Sequence, residues 1–312
     1  MRFAIFGVGA VGGYFGARLA QAGEDVVFIA RGDTLRVLRT KGLRLDSVSG
    51  DVLLSPVKAV DDASQIGVVD VVLVAVKTWQ VPEAARKIGP LVGRSTMVLP
   101  LQNGVEAAAQ LAEVLGSKHV CCGLAKIVSL LAGPGHIRHT GIDPYIALGE
   151  SDNRRTKRIL KLRQTLQLAG INAEIPPDIT AALWEKFLFV SAWGGIGALS
   201  RAPIGVLRTL PGTRRLLEQA MQEVFNVAWA RRVKLQEDIV AKTMAFIDSL
   251  PPAGTTSLQR DIAEGRPSEI DAWNGAVVRL GDEVGADVTV HKIIYDCLRP
   301  LELNARGEIS FS

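Results

Sequence analysis

A glycine-rich turn near the start of the chain constrains the fold more than any other feature. An apolar run at residues 2–6 leads into Gly7, Val8, Gly9, Ala10, Val11 and Gly12, and a helical pattern then extends to Gly23. The first glycine of such a strand, turn and helix permits a tight turn, the second lets the backbone approach a pyrophosphate, and the third lets the helix pack on the strand. A second strand is predicted at residues 25–30. The sequence therefore predicts a dinucleotide-binding site.

Arg31 follows the second predicted strand, where the ribose of a bound dinucleotide lies. An acidic residue at this place accepts from the 2′-hydroxyl of NAD, whereas an arginine accommodates the 2′-phosphate of NADP. A guanidinium can bind a phosphate through two hydrogen bonds, and a carboxylate would repel it. We therefore predict that the cofactor is NADPH/NADP. Asp33 is the alternative ribose ligand, or else an N-cap for a helix at residues 35–41.

Strands and helices alternate through the first half of the chain. Apolar strands are predicted at residues 70–76, 96–101 and 120–127, with helices at 81–88 and 105–115 between them. This alternation is typical of an α/β fold with a Rossmann-like, doubly wound parallel sheet. Short strands within residues 133–149 are predicted as antiparallel additions to that sheet, and a helix at 155–169 and a strand at 171–175 follow. Ligands bind beyond the carboxyl ends of such strands, so we expect the Gly7 turn, Lys77 and Asn103 to converge on one crevice.

The strand pattern ends at Pro176 and Pro177, which we interpret as a hinge. Helical periodicity follows at residues 179–199, 212–232, 239–250 and 268–285. The length of 312 residues also exceeds what one core usually supports. We predict a Rossmann-like NADP-binding domain at residues 1–176 and an all-α substrate and catalytic domain at 177–312.

The composition fits a cytoplasmic enzyme that acts on a small molecule. Hydrophobic residues make up 48% of the chain, and the net charge of +4 is spread without a basic run, which disfavours nucleic acid as a partner. No segment reaches the roughly 18 apolar residues of a membrane span, and the first residues lack the features of a signal peptide. Cys121, Cys122 and Cys297 are interpreted as core thiols. The scattered histidines suggest no metal site.

Lys186 lies in an apolar helical segment that contains one other charged residue, Glu185, just after the predicted hinge. An ammonium group beside a ketone can polarise it and donate a proton to the alkoxide as hydride arrives. The alternative is a surface lysine on a helix that packs elsewhere. On sequence position alone, both interpretations stay open.

The order of several motifs resembles the ketopantoate reductase family over nearly the whole chain. Beyond the glycine turn and Arg31, these motifs are Lys-Thr-Trp-Gln at 77–80, Leu-Gln-Asn-Gly-Val-Glu at 101–106, Leu-Trp-Glu-Lys at 183–186, and the segments 256–262 and 265–271. The resemblance implies NADPH-dependent reduction of 2-dehydropantoate (ketopantoate) to pantoate, in the pathway to pantothenate and coenzyme A.

The resemblance also implies roles for individual residues. Lys186 matches the catalytic lysine and Glu269 the glutamate on the substrate side. Asn103 matches an asparagine that contacts both nicotinamide and substrate, Lys77 a lysine near the nicotinamide ribose, and Ser257 a serine that binds the substrate carboxylate. Each has a plainer alternative. Ser268 and Asp271 could form a capping box that makes Glu269 a first-turn acid, Asn103 could be an ordinary turn residue, Ser257 a loop hydroxyl and Lys77 a solvated strand end.

The chain departs from the family pattern at two positions. Asparagines usually stand four and eight residues after the lysine, on one helical stripe, but here the residues are Val190 and Gly194. This predicts a wider and less polar pocket, in which Ser191 or Trp193 could compensate. Two alternatives follow, namely a paralogue that reduces a different or bulkier 2-oxo acid and a non-catalytic NADPH-binding sensor.

A β-hydroxyacid dehydrogenase is a further alternative, since it also joins a nucleotide domain to a helical domain that carries a lysine. The segment 265–271 disfavours it. Apolar helices in the second domain make a homodimer plausible.

Overall fold

The computed structural model describes residues 1–311, and the chain divides into two compact units. Unit 1 comprises Met1–Gln102 and Glu106–Ile179. Unit 2 comprises Asn103–Val105 and the chain from Thr180 onward. The α/β fold class, with an N-terminal parallel sheet and a C-terminal helical part, is confirmed. The short segment around Asn103 belongs to the helical unit, although it lies within the first half of the sequence.

Unit 1 is built on a five-stranded parallel sheet with the strand order β5-β2-β1-β6-β7. Its strands are β1 (Arg2–Phe6), β2 (Asp25–Ile29), β5 (Lys58–Val60), β6 (Val71–Val74) and β7 (Met97–Pro100). Successive residues of β1 contribute to separate apolar clusters, with Phe3 and Ile5 in one and Ala4 and Phe6 in the other. Burial of both faces explains why these strands are apolar throughout rather than alternating.

The remaining strands of unit 1 form two smaller sheets. One has the order β4-β3-β10-β9, and the other has the order β12-β11-β8. Their strands are β3 (Leu43–Ser47), β4 (Val52–Leu54), β8 (Cys122–Lys126), β9 (Ser129–Gly133), β10 (His136–His139), β11 (Tyr145–Gly149) and β12 (Asn172–Glu174). The prediction that the strands of 133–149 extend the main sheet was wrong, because β10 pairs in parallel with β3, a strand that the sequence pattern did not reveal.

The helices of unit 1 lie close to their predicted positions. They are α1 (Ala10–Gln21), α2 (Gly32–Lys41), α3 (Val81–Lys87), α4 (Ala107–Leu115) and α5 (Lys157–Leu168). Helix α2 begins three residues before its predicted start, with Arg31 at the N-cap position and Asp33 within the first turn. Asp33 is therefore not an N-cap.

Unit 2 is helical throughout its main segment, as predicted. Its helices are α6 (Ile179–Ser200, which starts at the last residue of unit 1), α7 (Ile204–Thr209), α8 (Pro211–Ala230), α9 (Ile239–Ser249), α10 (Ser257–Ala263), α11 (Asn274–Val284) and α12 (Thr289–Ala305). One apolar cluster from α6 to α12 forms its core. Helices α7, α10 and α12 were not evident from the sequence pattern. Within residues 1–311, no helix is both long and apolar enough to cross a membrane.

Candidate active site

The glycine turn of unit 1 has the geometry that dinucleotide binding needs. Gly7 has φ +98°, and a β-carbon there would lie 2.8 Å from Cγ1 of Val76. A β-carbon on Gly12 would overlap the carbonyl oxygen of Gly7, whereas one on Gly9 would meet no atom within 4 Å. Gly7 and Gly12 are thus fixed by close packing, and Gly9 faces open space.

Helix α1 begins immediately after Gly9, whose carbonyl oxygen accepts from the N–H of Gly13 at 2.8 Å. The N–H groups of Ala10, Val11 and Gly12 precede the first intrahelical bond, so they are available to an anion at the positive end of the helix. The open space over Gly9 adjoins these groups. The residues present therefore fit a pyrophosphate, as the glycine motif predicts.

Arg31 lies two residues after β2 and is the N-cap residue of α2, with its side chain half exposed. One guanidinium nitrogen lies 3.2 Å from Oε1 of Glu83, which also accepts from Lys87. These hydrogen bonds, from Lys87 first and then Arg31, hold the pKa of Glu83 below its usual value. Asp33 is engaged instead with Arg36, at 3.0 Å. Arg31 is therefore positioned at an exposed edge, where a phosphate would compete with Glu83.

Lys77 follows β6 and is half buried, with its ammonium 5.8 Å from the ring centroid of Trp79. The neighbouring Gln102, which the sequence analysis did not select, is buried and its Nε2 donates to the carbonyl oxygens of Val74 and Val76, both at 3.0 Å. Gln102 thus joins the carboxyl ends of β6 and β7. No motif signalled this role beyond its place beside Asn103.

The loop that carries Asn103 packs on unit 2. Gly104 has φ +94°, and a β-carbon there would lie 3.0 Å from the carbonyl oxygen of Ala272. Ala272 in turn donates its N–H to the carbonyl oxygen of Glu269, at 3.1 Å. The structure therefore brings the Asn103 loop to the turn that contains Glu269.

Glu269 lies in this turn and not in a helix, so the predicted helix at 268–285 was wrong in its first six residues. The expected capping box is also absent from the described residues. Instead, Ser268 donates from its N–H (2.7 Å) and its hydroxyl (2.5 Å) to Oε2 of Glu302 in α12, while Asp271 accepts from the Tyr295 hydroxyl at 2.7 Å. The turn is thus tied to α12 on both sides of Glu269. The plainer prediction for Glu269, a first-turn helical acid, does not apply.

Helix α6 carries Lys186, which is half buried, and further along it has glycines at 194, 195 and 197. A β-carbon on Gly194 would lie 2.5 Å from Cζ3 of Trp273 and 3.2 Å from Cδ2 of Leu258. Trp273 donates its backbone N–H to the Glu269 carbonyl oxygen at 3.0 Å, and Leu258 follows Ser257 directly. Gly194 is therefore the point where α6 meets both the Glu269 turn and the helix that begins at Ser257.

The expectation of a wider pocket was wrong at Gly194. The space that a side chain would take there is filled by Trp273, which is 2% exposed. Ser191 cannot compensate for the missing asparagines, because it is fully buried and its hydroxyl donates to the Phe187 carbonyl at 2.7 Å. Trp193 and Val190 remain half buried on the Lys186 side of the helix.

Unit 2 thus brings together the elements of four predicted site residues, namely Asn103, Lys186, Ser257 and Glu269. The glycine turn, Arg31 and Lys77 lie in unit 1. Sequence reasoning missed Trp273 and Glu302. The glycine pair at 194 and 195 in an apolar helix is a signal that another side chain approaches closely. Glu302 gave no signal, because it contacts Ser268 across 34 residues of sequence.

A separate cavity of about 400 Å³ in unit 1 contains none of these residues. Arg18 lines it, but its guanidinium donates to Tyr14, Gln21 and Ser47 and to the carbonyl oxygen of Gly50. The arginine is therefore committed to holding α1 against the loop after β3.

The cysteines and histidines have mainly structural settings. Cys121 and Cys122 are buried, as predicted, whereas Cys297 is exposed on α12, so the prediction of a core thiol was wrong there. His291 is fully buried, and its Nδ1 lies 2.8 Å from Glu223. The N–H groups at the start of α12 also reach that carboxylate. Within residues 1–311, no cluster of three or more metal-ligating side chains occurs.

A glycine turn on a parallel sheet, followed by a helical unit that gathers a lysine, a glutamate, a serine and an asparagine, defines a nicotinamide-dependent oxidoreductase. Residues 3–153 match the family described as ketopantoate reductase PanE/ApbA, and residues 178–302 match its C-terminal part. The chain belongs to the ketopantoate reductase family, and the matches to both halves exclude the β-hydroxyacid dehydrogenase alternative.

Individual relatives are similar over their full length. The chain is 31% identical to a 2-dehydropantoate 2-reductase of Nostoc sp., with 99% of this chain and 98% of that protein covered. Among solved structures, a PanE/ApbA family ketopantoate reductase from Ralstonia eutropha has a TM-score of 0.90 at 33% identity, with 98% and 100% covered. A 2-dehydropantoate 2-reductase from Geobacter metallireducens has a TM-score of 0.90 at 32% identity, with 96% and 99% covered.

Proposed function

We propose that this oxidoreductase uses NADPH to reduce a 2-oxo acid, with ketopantoate as the leading substrate and pantoate as the product. The pathway to pantothenate and coenzyme A would then be its setting. The convergence of the Asn103 loop, the Ser257 helix and the Glu269 turn on the lysine-bearing unit supports this proposal. The names of the relatives support the substrate.

The proposed mechanism assigns one task to each residue. Bound NADPH supplies the hydride that adds to the keto carbon. The Lys186 ammonium donates a hydrogen bond to the keto oxygen, stabilises the negative charge that develops there, and then transfers its proton to the alkoxide. The neutral amine regains a proton from solvent. Glu269 orients the lysine and a substrate hydroxyl, while Ser257 donates to the substrate carboxylate.

The cofactor is held by the residues of unit 1 in this proposal. The first-turn N–H groups of α1 bind the pyrophosphate over Gly9, and Arg31 binds the 2′-phosphate. Lys77 would bind near the nicotinamide ribose, and the Asn103 amide would donate or accept hydrogen bonds with the nicotinamide and the substrate. Arg31 supports NADPH over NADH because the segment directly after β2 offers one carboxylate, that of Asp33, as a ligand for a ribose 2′-hydroxyl. That carboxylate is held by Arg36.

Replacement of Lys186 by alanine tests the proposal. We expect turnover of ketopantoate to fall by roughly 10²–10⁴-fold, the usual contribution of a general acid, while NADPH affinity stays unchanged. Lys292→Ala is the matched control, since this lysine is exposed on α12 of the same unit. Equal turnover of Lys186→Ala and the wild type would remove Lys186 from the mechanism.

A different 2-oxo acid is the second candidate substrate. Val190 and the carbon edge of the Trp273 ring, which faces Gly194, favour it, since neither can make the hydrogen bonds that asparagine would make to a substrate hydroxyl. A panel of 2-oxo acids with NADPH ranks the candidates by kcat/KM. NADPH binding without oxidation by any of them would instead favour the sensor alternative.

The proposed setting is a homodimer in the cytoplasm. Large apolar side chains of unit 2 are exposed at Val206 (43%), Leu210 (52%) and Leu216 (41%), which supports a contact between copies. Light scattering of the purified protein tests the dimer, and a monomeric mass would contradict it.

A further inference from the structure

The accessible face of α6 beyond Lys186 is apolar and aromatic. Phe189, Val190 and Trp193 follow the lysine at spacings of three, four and seven residues, so all four side chains lie on one side of the helix. Each is half buried, whereas Ser191 and Ala192 between them are fully buried. This face of α6 is therefore partly accessible.

Phe246 of α9 enlarges this aromatic surface. Its ring centroid lies 5.4 Å from that of Phe189, and Phe189 lies 5.3 Å from Trp193. Phe246 is 52% exposed. Aromatic pairs at such separations are favourable. The pairing with Phe189 uses only one side of the Phe246 ring, and the other side stays exposed. The exposed edge of Phe246 therefore leaves room for a further apolar group.

Trp193 also contacts the loop that leads to Ser257. A β-carbon on Gly254 would lie 3.5 Å from Cζ2 of Trp193. The aromatic surface thus extends from Lys186 towards the serine to which the proposed function assigns the substrate carboxylate. At 1.5 Å per residue, Val190 lies about 6 Å and Trp193 about 10 Å beyond Lys186 along the helix axis.

Polar groups on this face are few. The position of the second asparagine is occupied by the buried Trp273 ring, and the Ser191 hydroxyl bonds to the helix backbone. The Trp193 Nε1 is buried, so it presents no accessible donor on this face. A substrate hydroxyl placed here would lose its bonds to water without regaining them, which disfavours a polar substituent.

We propose that Phe189, Val190, Trp193 and Phe246 form an acyl subsite, and that the enzyme prefers 2-oxo acids with an aryl or bulky apolar substituent over ketopantoate, which ends in a hydroxyl. This inference rests on the proposed reductase function and develops its second candidate, a 2-oxo acid other than ketopantoate. The keto group lies at Lys186, and the substituent lies along α6 against the aromatic rings. A second copy of the chain on the same face is the competing occupant.

The first experiment compares NADPH oxidation with phenylpyruvate and with ketopantoate. We expect kcat/KM to be at least roughly tenfold higher for phenylpyruvate, the discrimination that an apolar pocket gives for a few extra carbons. Val190→Asn, at a half-buried position, should lower this ratio roughly tenfold or more by restoring an amide. Phe246→Ala should lower it through phenylpyruvate alone.

Trp229→Ala is the matched control, because Trp229 is 70% exposed on α8 of the same unit and lies outside the subsite. It should leave the ratio unchanged. A wild type that prefers ketopantoate, with a ratio that neither variant moves, overturns the proposal. A fall in mass by light scattering in Phe246→Ala with an unchanged ratio would assign the face to a second copy.

A binding measurement separates this proposal from the reductase function. Calorimetry with NADP present compares oxamate with anilino(oxo)acetate, which adds a phenyl ring and is not reduced. We expect the phenyl compound to bind at least roughly tenfold more tightly, and Trp193→Ala to abolish the difference. Tighter binding without turnover of any 2-oxo acid would sink the reductase function and keep the subsite. Equal affinities would sink the subsite whatever the turnover.

Discussion

Arg31 shows how one side chain can serve both the fold and the choice of cofactor. It caps α2 through its backbone, while its guanidinium contacts Glu83 across 52 residues of sequence. Both side chains are about half exposed, so their ion pair contributes little to stability. The pair matters for binding, because a 2′-phosphate and the Glu83 carboxylate compete for the same cation.

Substitutions of Arg31 and of Glu83 should therefore change NADPH affinity in opposite directions. Arg31→Ala should weaken NADPH binding by roughly 10–100-fold, the loss of one or two charge-assisted hydrogen bonds, and NADH binding hardly at all. Glu83→Gln should tighten NADPH binding by a factor of about 2–5, because it removes the competing charge. Fluorescence titration with both cofactors measures this. Parallel losses for NADPH and NADH in Arg31→Ala would contradict the assignment.

The three thiols differ in reactivity at the same scale. Burial raises the pKa of Cys121 to about 12 and that of Cys122 to about 11, whereas Cys297 is exposed. Since the thiolate is the reactive form, the two buried cysteines stay protonated at pH 8. Iodoacetamide should modify the folded protein at Cys297 alone, and Cys297→Ser should abolish labelling. Mass spectrometry of the digested protein checks this. Labelling of Cys122, the first residue of β8, at a comparable rate would show that β8 opens.

At the scale of elements, α12 fixes the turn that carries Glu269. Glu302 is 2% exposed and accepts from the N–H and hydroxyl of Ser268 and, at 2.6 Å, from Nε of Arg306. Tyr295, two turns earlier on the same helix, holds Asp271. A turn without regular secondary structure thereby gains two fixed ends, and Glu269 lies between them.

Removal of these contacts should destabilise the protein. Glu302→Ala leaves the Ser268 N–H and Arg306 without this acceptor, so we expect the free energy of unfolding to fall by about 2–3 kcal/mol. Ser268→Ala removes one hydrogen bond and should lower the free energy of unfolding by about 1 kcal/mol. Denaturant titration measures both. Glu283→Gln, in an exposed pair with Arg231, is the control and should change it by less than about 0.5 kcal/mol. Similar values for all three variants would show that the turn holds without α12.

The same element shows where sequence reasoning stops. The glycine turn, β1, β6 and α6 follow from local patterns, because a fixed glycine spacing or an unbroken apolar run has one structural outcome. Helix α12 was missed, and Pro300 within it is a residue that normally ends a helix. The start of α11 was misplaced because Ser268 is satisfied by a partner 34 residues away, which no local capping pattern reveals.

At the scale of the whole molecule, the sequence predicted the structural class of each half of the chain. It did not predict the pairing of the small sheets or the unit to which Asn103 belongs. Strand and helix alternation gave the parallel sheet, and helical periodicity gave the second unit. The small sheets were misjudged, since strands of three to five residues such as β3 and β4 carry too little pattern to show their partners. Asn103 belongs to the helical unit because Gly104 packs on Ala272, a tertiary contact without a local signal.

Site residues divide in the same way. The residues of the glycine turn and Arg31 were predicted from fixed sequence spacings within the segment from β1 to β2. Lys186 was a candidate from its apolar helical setting, but its role came from the family resemblance. Ser257 and Glu269 were selected through that resemblance alone, because their spacing reflects helix packing rather than local geometry. Trp273 decides the polarity near Gly194, yet only the packed structure shows that its ring occupies that space.

The stability of the whole molecule should depend on pH through Glu150, which follows β11 and is 6% exposed. Its carboxylate accepts from Arg158 at 2.6 and 2.7 Å and from the Thr156 hydroxyl at 2.5 Å. Burial alone would raise the pKa of Glu150, but the bonds from Arg158 and Thr156 outweigh it and hold the pKa below its ordinary 4.5. The contact joins α5 to the sheet that contains β11.

The sign of the pH effect follows from this lowered pKa. The unfolded chain binds a proton at Glu150 near pH 4.5, before the folded protein does, so the stabilisation is complete above that value and is lost as pH falls through the folded pKa. Glu150→Gln should therefore lower the free energy of unfolding by about 3 kcal/mol at pH 7, since it leaves Arg158 without its charge partner. This deficit relative to the wild type should shrink steadily below pH 4.5. Denaturant titrations at pH 7, 5, 4 and 3 measure the difference, with Glu283→Gln, in an exposed pair with Arg231, as the control. A deficit that stays constant from pH 7 to pH 3 would show that Glu150 acts through packing and not through its charge.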